Sequence, residues 1–494
     1  MGWIYNQSTN VYASIILYRY VLYQFYGLRM TTTLGKIFEL YGGDAAPTAI
    51  EAYIQANLSI RDIEKNKYGE VFTPYSYICE LLDQLPARVW SNPVLRWLEP
   101  ASGIGHFCVV VYMRLMDGLR SVFPDPRVRH EHIIRNMLFM VEINRVNVDR
   151  TRNLFGSLVN IRCADFLDPA GRPASLPPID IIIGNPPFQM PRDDTVRMGS
   201  KGGRTLWDKF IVKSLEILNS NLGKEDRFLC FITPPVWRKP NSPLGLWTMM
   251  TRDSCSLRYL HMIDKKTAIS DLQVQQRMDL FVIAVGYSNT DAIKNGGDVI
   301  AVGYSNTDGA CRVIESDADG GSIHLNTIHP RDWPFLPNSE FEFIKSILDP
   351  NGPDSSRVIY DRSAYGSDLP HMSAEYRAGE FIYPVVHTMT RRGLGLWYSN
   401  TNTRGTGAGH FGVSKVILNF NEKLYPYLDI SGDYGMGQFS FGLPVTSAEQ
   451  GDAIVRALTS PRFRAVVKAT KWGAYQTDRR MFEYFREGFY EGTQ

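Results

Sequence analysis

The stretch Ile179-Asp180-Ile181-Ile182-Ile183 is followed, after Gly184, by Asn185-Pro186-Pro187-Phe188. The run of β-branched residues is typical of a buried strand. The two prolines end it, because each fixes φ and lacks a backbone N–H donor. The carbonyls of such a turn cannot return to a β-ladder. We therefore predict a strand that ends in a loop rich in hydrogen-bond acceptors.

This loop has the groups needed to hold an amino group attached to a planar base. The side-chain oxygen of Asn185 and the carbonyl of Pro186 can accept the two hydrogens of an NH2 group, and the Phe188 ring gives the base a face to stack on. Two such acceptors favour the pyramidal nitrogen, whose lone pair can attack a methyl sulfonium in line. The pattern indicates methyl transfer to an amino nitrogen, without a strong base. An ordinary Pro-Pro turn opened by Asn is the alternative.

Three upstream segments also end in residues suited to a ligand. Val94–Leu98 precedes a turn with Gly103 and Gly105, which permit close backbone approach in front of a predicted helix. Met137–Val141 ends at Glu142, an acid suited to ribose hydroxyls, and Asn160–Cys163 leads to Asp165-Phe166, which suits an adenine amino group and its face. Each acid by itself is explained equally well as a solvated strand end or a helix cap. Four sites in this order favour a ligand, because open α/β sheets bind along the carboxyl edge of their strands.

Together with Tyr68-Gly69-Glu70-Val71-Phe72-Thr73-Pro74, these segments resemble the amino-group DNA methyltransferases, specifically the adenine-N6 enzymes of the gamma motif order. The resemblance covers roughly residues 66 to 285. It implies an α/β Rossmann-like methyltransferase domain with a mixed, mostly parallel seven-stranded sheet, followed by an α+β target recognition domain. It also implies methyl transfer from S-adenosylmethionine to adenine N6 in double-stranded DNA after base flipping. The family's glycine turn usually opens with Asp and carries Cys and Ser where this chain has Glu99, Ser102 and Ile104, which alters the reach of the first carboxylate.

The resemblance assigns roles to individual residues. The catalytic set is Asn185, Pro186, Pro187 and Phe188. In the cofactor set, Thr73 and Glu99 lie near the methionine end of S-adenosylmethionine, Glu142 binds the ribose, and Asp165 and Phe166 bind the adenine. The remaining members of that set are Ala101, Gly103, Gly105 and Ile143.

The C-terminal part changes character, with loops rich in Gly, Thr and Asn and with clustered basic residues. Arg and Asn side chains form bidentate contacts with guanine and adenine edges, so we predict that Arg391, Arg392 and Asn400 read bases. Basic residues interleaved with aromatics between 456 and 486 fit phosphate binding, and from them we predict DNA contacts by Lys468, Lys471, Arg479 and Arg480. For any single arginine, a solvated helix face is an equal alternative.

Composition narrows the functional class only modestly. The 494 residues are 44% hydrophobic and 21% charged with a net charge of +2, an ordinary globular composition with room for two domains. The six cysteines form no Cys-x-x-Cys pair and the nine histidines no ligand spacing, so we expect a reducing interior, no disulfide framework and no metal.

We predict four segments in the chain. Residues 1–29 form an N-terminal extension, in which the helical stretch Val11–Tyr26 is too short for a membrane span and lacks the features of a secretory signal, so an intracellular protein is expected. The methyltransferase domain spans 30–290 and the target recognition domain 331–494. Between them, 291–330 form a connector with a duplicated hairpin, because the segment Val282–Asp291 recurs identically at Val299–Asp308.

Three alternatives remain open at this stage. A protein-glutamine or ribosomal RNA amino methyltransferase would use a similar Asn-Pro-Pro loop, but such enzymes are usually shorter and lack a large basic C-terminal domain. A catalytically silent DNA-binding subunit would not need Asn185, Phe188, Glu142 and Asp165 together. A fused nuclease would need an additional acidic metal-binding domain, for which 66 residues before the first motif leave no room, so a cognate restriction endonuclease is a candidate partner as a separate chain.

Overall fold

A computed structural model describes residues 73–168, 176–189, 205–220, 226–240, 242–252, 254–286, 310–316, 323–404, 410–473 and 477–491. The chain divides into two units. The first contains the residues up to Pro234 and Met249–Ile328, and the second contains Pro235–Thr248 and His329–Gln494. These units differ from the predicted segments in two places: Pro235–Thr248 is grouped with the second unit, and the residues of the predicted connector up to Ile328 are grouped with the first unit.

A mixed nine-stranded sheet forms the centre of the first unit, in the order β3-β2-β1-β4-β5-β7-β6-β8-β9. Five of its eight strand pairs are parallel, so the predicted mostly parallel α/β sheet is confirmed. The predicted count of seven strands is wrong, because two strands from the predicted connector extend the sheet beyond β6. The strands are β1 Trp97–Glu99, β2 Leu138–Glu142, β3 Asn160–Cys163, β4 Ile181–Gly184, β5 Phe228–Thr233, β6 Cys255–Ile263, β7 Met278–Val285, β8 Cys311–Ser316 and β9 Ile323–Ile328.

Among the described residues, two helices precede β1, namely α1 Tyr75–Leu82 and α2 Arg88–Ser91. Later helices connect the strands of this sheet: α3 His106–Gly118, α4 Pro126–His132, α5 Arg145–Phe155, α6 Trp207–Asn219, α7 Leu246–Thr251 and α8 Lys265–Leu272. The helix α7 begins in residues of the second unit and ends in residues of the first. A π-helix, Ile133–Met137, joins α4 to β2.

Hydrophobic pattern explains which strands lie at the centre of the sheet. Every residue of β4, β5 and β7 is buried, as expected for strands covered on both faces. The helix α3 is buried around most of its circumference, whereas α6 buries one apolar stripe that includes Phe210, Ile211 and Leu215. The carboxyl ends of β1, β2 and β4 are thereby fixed on a well-packed core.

The second unit contains two small sheets and several helices. The four-stranded sheet has the order β10-β12-β11-β15 and the three-stranded sheet the order β14-β13-β16. Its elements are β10 Met372–Ser373, β11 Tyr383–Thr390, β12 Gly393–Ser399, β13 Lys415–Asn419, β14 Tyr427–Asp429, β15 Gly435–Met436, β16 Ser440–Pro444, α9 Phe341–Ile347, α10 Ala448–Thr459 and α11 Pro461–Ala469. Buried Val386, Met389, Ile417 and Met436 pack between strands of the two sheets. A 3-10 helix, Arg479–Tyr484, follows α11.

Several predictions fall outside the described residues. These are the extension 1–29, the motif residues 68–72, and, in the repeat, the predicted turn 295–297 and the second copy at 299–308. The first four residues of the first copy, 282–285, are the end of β7. Within the described part of the chain, no helix combines the length and apolar character required to cross a membrane.

Candidate active site

The predicted catalytic loop and the predicted cofactor turn begin at neighbouring strands. The order of strands along the sheet reverses between β1 and β4, which lie side by side in parallel register. Glu99 ends β1, and Gly184 ends β4 immediately before Asn185. A Cβ atom at Gly184 would lie 3.6 Å from Cγ of Glu99. Ligands of open α/β sheets bind at such a reversal point, outside the carboxyl ends of the strands.

Asn185 is held by a residue from a distant part of the sequence. Its Nδ2 donates a hydrogen bond to Oγ1 of Thr73 at 3.2 Å. The Oδ1 atom is buried and has no hydrogen-bond partner among the described residues. A buried acceptor without a donor is costly, and each such group in a folded protein calls for an explanation. Thr73, which was assigned to the methionine end of the cofactor, thus also orients the amide of the catalytic loop.

The backbone before Asn185 depends on a glycine that sequence reasoning did not include in the site. Gly184 has φ of 148°, a conformation that residues with a Cβ atom rarely adopt. In the sequence, only the position of Gly184 indicated this role, since a glycine after a buried strand marks a sharp change of direction of the chain. Next in the loop, Pro186 is buried, while Pro187 and Phe188 are half-buried, and Phe188 packs partly against the core of the first unit.

The turn after β1 is tied to the end of β2. Gly103 and Gly105 have φ of 53° and 89°, so both use the conformational freedom for which glycine was predicted. The Gly103 N–H donates to Oε2 of Glu142 at 2.8 Å, and the Asn144 N–H donates to Oε1 of the same carboxylate at 2.7 Å. Each carboxylate oxygen keeps further lone pairs, so Glu142 can shape the turn and still accept hydroxyl groups.

Glu99 is a buried acid at the reversal point. Its side chain accepts a hydrogen bond from the Cys108 N–H, in the first turn of α3, at 3.2 Å. Burial raises the pKa of Glu99 to about 8, with a smaller contribution from the negative charge of Glu142 and an opposing one from Cys108. The protonated form therefore predominates at neutral pH. A ligand that brings positive charge to this carboxyl group would favour its ionised form.

These features fit S-adenosylmethionine, whose sulfonium and ammonium groups are cationic. We predict that its affinity rises with pH up to about 8 and levels off above that, because Glu99 must lose a proton to pair with a cation. The rise should approach tenfold per pH unit if one proton is released. Isothermal titration in buffers of different ionisation enthalpy measures this release directly. Glu99→Gln is the matched control and should give a flat pH profile, while an unchanged pH dependence in that variant would contradict the assignment.

The predicted adenine-binding residues differ in how accessible they are. Asp165 is exposed and its Oδ1 accepts a hydrogen bond from the Leu167 N–H at 2.8 Å, and the exposed Ile143 follows Glu142. Phe166, in contrast, is 2% exposed, because its ring stacks on Phe210 at 5.2 Å and lies under the ammonium group of Lys213 at 5.0 Å. Phe210 and Lys213 thus cover much of the Phe166 ring, and its contact with adenine stays a prediction. Ile143 is the exposed apolar surface near this strand end, and Ala101 lies half-buried in the turn after β1.

The predicted base-reading arginines occupy the tip of a β-hairpin in the second unit. Arg391 and Arg392 form the two-residue connection between β11 and β12 and are exposed. Asn400, also exposed, follows the end of β12, where its N–H donates to the His371 carbonyl. These side chains are accessible to a ligand from solvent.

The predicted phosphate-binding residues are mostly engaged with carboxylates. Lys471 pairs with Glu422 at 2.6 Å, Arg479 with Glu483 at 3.1 Å, and Arg480 with Asp478 through two nitrogens. Lys468 is exposed, and among the described residues it has no such pair. Two of the neutralising carboxylates, Asp478 and Glu483, lie in the same stretch of sequence, whereas Glu422 is distant in sequence. Lys468 is therefore the cation of this set with an uncompensated charge.

The described residues also bear on disulfide bonds and on metal sites. All six cysteines are free thiols. Within the described ranges, no three His, Cys, Asp or Glu side chains are grouped as metal ligands.

Comparison with known proteins gives one curated relative by sequence and several by structure, while no family model matches. An "Uncharacterized adenine-specific methylase" of Mycoplasma pneumoniae (strain ATCC 29342 / M129 / Subtype 1) is 39% identical over 79 residues, which are 15% of this chain and 19% of that protein. The chain thus matches about a fifth of the length of this relative.

The structural similarities extend over more of the chain. The Type IIL restriction-modification enzyme MmeI in complex with DNA aligns with 91% of this chain and 71% of its own, at 10% identity and a TM-score of 0.47. The Type ISP restriction-modification enzyme LlaBIII bound to DNA aligns with 83% of this chain and 35% of its own, at 11% identity and a TM-score of 0.44. The type IIG restriction endonuclease BpuSI aligns with 90% and 61%, at 8% identity and a TM-score of 0.36.

Proposed function

We propose that the chain is a site-specific DNA methyltransferase that transfers a methyl group from S-adenosylmethionine to adenine N6 in duplex DNA. The observation that carries this proposal is the buried Oδ1 of Asn185, an acceptor without a partner among the described residues while Nδ2 is held by Thr73. An exocyclic amino group is a donor that can satisfy this atom. The sequence similarity to an adenine-specific methylase supports the same chemistry.

The loop residues have distinct tasks in the proposed reaction. Oδ1 of Asn185 and the Pro186 carbonyl accept the two N6 hydrogens, which orients the amino group and localises its lone pair. Phe188 supplies a stacking face for the base. S-adenosylmethionine, when bound, supplies a methyl group on a cationic sulfonium. The target base must leave the duplex, because its amino group is otherwise paired inside the helix.

The remaining site residues would hold the cofactor. Gly103 and Gly105 allow the backbone to approach it, Glu142 accepts ribose hydroxyls, and Glu99 compensates positive charge. Asp165 accepts from the adenine amino group and Ile143 contacts its face. The second unit would recognise the target sequence in double-stranded DNA, with Arg391, Arg392 and Asn400 exposed for base contacts.

The proposal is tested by sequencing the modified bases in DNA from cells that express this chain. N6-methyladenine within one defined sequence is the expected result. The purified protein should transfer labelled methyl groups to the same duplex, and Asn185→Ala should do so at least about 10²–10³-fold more slowly. Labelled glutamine or ribosomal RNA with unmodified DNA would favour the alternative methyltransferases. Sequence-specific DNA binding without any methylation would indicate the silent subunit.

Lys468 lies in α11 and Lys471 shortly after its end, and the two form a matched pair for testing DNA binding. We predict that Lys468→Ala weakens binding to all duplexes alike and lowers the slope of log affinity against log salt by about one. Lys471→Ala should change this slope less, because Glu422 already neutralises Lys471. Fluorescence titrations at several salt concentrations measure both. Parental slopes in both variants would place the phosphate contacts elsewhere.

Base contacts should behave differently from phosphate contacts. We predict that Arg391→Ala or Arg392→Ala costs about 1–3 kcal/mol on the target sequence and little on unrelated DNA. The same titrations on target and scrambled duplexes measure this difference. An equal loss on both duplexes would assign these arginines to the phosphate backbone instead.

A further inference from the structure

A cavity of about 670 Å³ lies within the second unit, and its lining residues belong neither to the hairpin tip nor to α11. This volume is within the range of about 300–1,000 Å³ that is usual for small-molecule sites. Its lining combines basic and aromatic side chains, namely Lys239, Tyr360, Arg362, Phe439, Trp472 and Arg480. One of them, Lys239, comes from the segment Pro235–Thr248, which interrupts the sequence of the first unit. The cavity therefore requires residues that are far apart in the chain.

Positive charge around the cavity exceeds negative charge. The single carboxylate of Asp478 contacts two cations. Arg480 binds it through two nitrogens, and Nζ of Lys239 lies 3.9 Å from its Oδ2. Arg479 is compensated by Glu483. Arg362 is exposed, and the described residues include no carboxylate paired with it. Four cations thus face two carboxylates, a surplus of two positive charges.

This surplus suits a phosphate group, whether a monoester with a charge of about −1.5 to −2 at neutral pH or the singly charged diester of a strand. Burial lowers the pKa of Lys239, nearby Arg480 adds to this effect, and Asp478 opposes it. Asp478 compensates the charge of the Lys239 ammonium group only partly, so an anion beside Lys239 would stabilise the ammonium form further.

The aromatic residues provide surfaces for a planar group. Phe439 is 43% exposed at the cavity. Tyr360 lies opposite a cation, with the Arg479 guanidinium 4.3 Å from its ring centroid. Bases stack well on aromatic rings and on guanidinium planes, whereas inorganic anions and carboxylates gain nothing from such surfaces. The combination of stacking surfaces and surplus positive charge selects a ligand with both a base and a phosphate.

We propose that this cavity binds one nucleotide unit, with its phosphate near Lys239, Arg362 and Arg480 and its base against Phe439 and Tyr360. The site is distinct from the proposed methyl-transfer site, and the binding does not require methyl transfer. The nucleotide comes either from a DNA strand or from a free nucleoside phosphate. Only the first source rests on the proposed function.

Aromatic residues outside the cavity favour a strand as the source. The ring of Phe439 meets His387 at 5.6 Å, and His387 stacks on Trp397 of β12 at 4.8 Å. The same hairpin carries Arg391 and Arg392 at its tip. A strand with one nucleotide in the cavity would therefore find further stacking and basic side chains in this direction.

The test uses the full-length Asn185→Ala protein without cofactor, so that its outcome is independent of methyl transfer. Equilibrium binding is measured for thymidine 5′-monophosphate, thymidine, inorganic phosphate, a ten-residue oligo-dT strand and a blunt duplex. We expect the monophosphate or the strand to bind at least tenfold more tightly than thymidine or phosphate. Arg362→Ala and Phe439→Ala should each weaken that binding about tenfold. Arg377→Ala is the matched control, because Arg377 is an exposed arginine of the same unit beside Phe381 and outside the cavity.

The arms of the experiment separate the two sources. Tight binding of oligo-dT with weak binding of the monophosphate identifies a strand, and the reverse identifies a free nucleotide. The proposal is overturned if neither binds, or if Arg362→Ala and Phe439→Ala bind as well as Arg377→Ala does. Matching thermal unfolding curves for the three variants exclude loss of the fold as the reason for weak binding. Absence of methylation by the parental protein, with nucleotide binding as expected, would count against the proposed function alone.

Discussion

Asn185→Ala is expected to reduce methyl transfer at least about 10²–10³-fold while leaving the affinity for S-adenosylmethionine nearly unchanged. Removal of one preorganised hydrogen-bonding group from an enzyme site has an effect of this size. The cofactor affinity should persist, because Oδ1 is proposed to contact only the target amino group. Single-turnover transfer of labelled methyl groups measures the rate, and isothermal titration measures cofactor binding. A lost cofactor affinity would contradict the role given to Asn185.

Thr73 provides the matched control for this result. Thr73→Val keeps the shape of the side chain but removes the oxygen that accepts the hydrogen bond from Nδ2 of Asn185. Because Asn185 would be less well positioned, we expect the activation free energy of methyl transfer to rise by about 1 kcal/mol, which lowers the rate roughly fivefold. If Thr73 instead mainly contacts the cofactor, as the resemblance implied, the variant should lose cofactor affinity and keep its single-turnover rate at saturation. The two measurements therefore decide which of the two roles dominates.

The central part of the first unit could be predicted from the sequence because its strands have strong local signals. The buried run 179–183 overlaps β4, residues 160–163 coincide with β3, and residues 137–141 nearly match β2. Fully buried parallel strands read as continuous apolar runs, which are easy to recognise. The motifs also placed Glu99 and Asn185 at the carboxyl ends of strands, and the structure adds that these two strands, β1 and β4, are neighbours.

The elements that the sequence did not predict have weaker or misleading signals. The strand β6 alternates partly polar and buried residues, with Ser256 and Arg258 between apolar neighbours, so it lacks the continuous apolar run of β5. The strands β8 and β9 follow the repeat, for which the sequence predicted a separate hairpin. In the structure β8 pairs with β6, and β9 pairs with β8. Register between distant segments is set by tertiary contacts and is not encoded in a local pattern.

Side-chain environment was the least predictable property of the candidate sites. Phe166 follows an acid at a strand end, which suggested an exposed ring, but Phe210 from α6 covers it. Arg480 occurs in a basic run, yet Asp478 two residues earlier neutralises it. Residues 235–248 directly follow β5 and have no compositional boundary, although they belong to the second unit. Packing between elements decides the first and the third case, whereas the Asp478–Arg480 pair depends on side-chain geometry at the start of one 3-10 helix.

The second unit contains a buried ion pair whose disruption should have the largest effect on stability. Nζ of Lys415 lies 2.6 Å from Oδ2 of Asp429, and the two side chains are 0% and 2% exposed. Asp429 also accepts hydrogen bonds from the N–H groups of Asp433 and Tyr434. Asp429→Ala would leave a buried ammonium without its carboxylate and two amides without an acceptor. We expect the free energy of unfolding to fall by about 3–5 kcal/mol.

Urea unfolding followed by circular dichroism measures this loss, and an exposed pair of the same unit is the matched control. Nζ of Lys345 lies 3.2 Å from Oδ2 of Asp332, but both side chains are about half exposed. Asp332→Ala should therefore cost no more than about 1 kcal/mol. The double variant Lys415→Met/Asp429→Leu should be more stable than Asp429→Ala alone, because it removes the buried charge together with its partner. Equal losses in Asp429→Ala and Asp332→Ala would mean that water reaches Lys415 and compensates its charge.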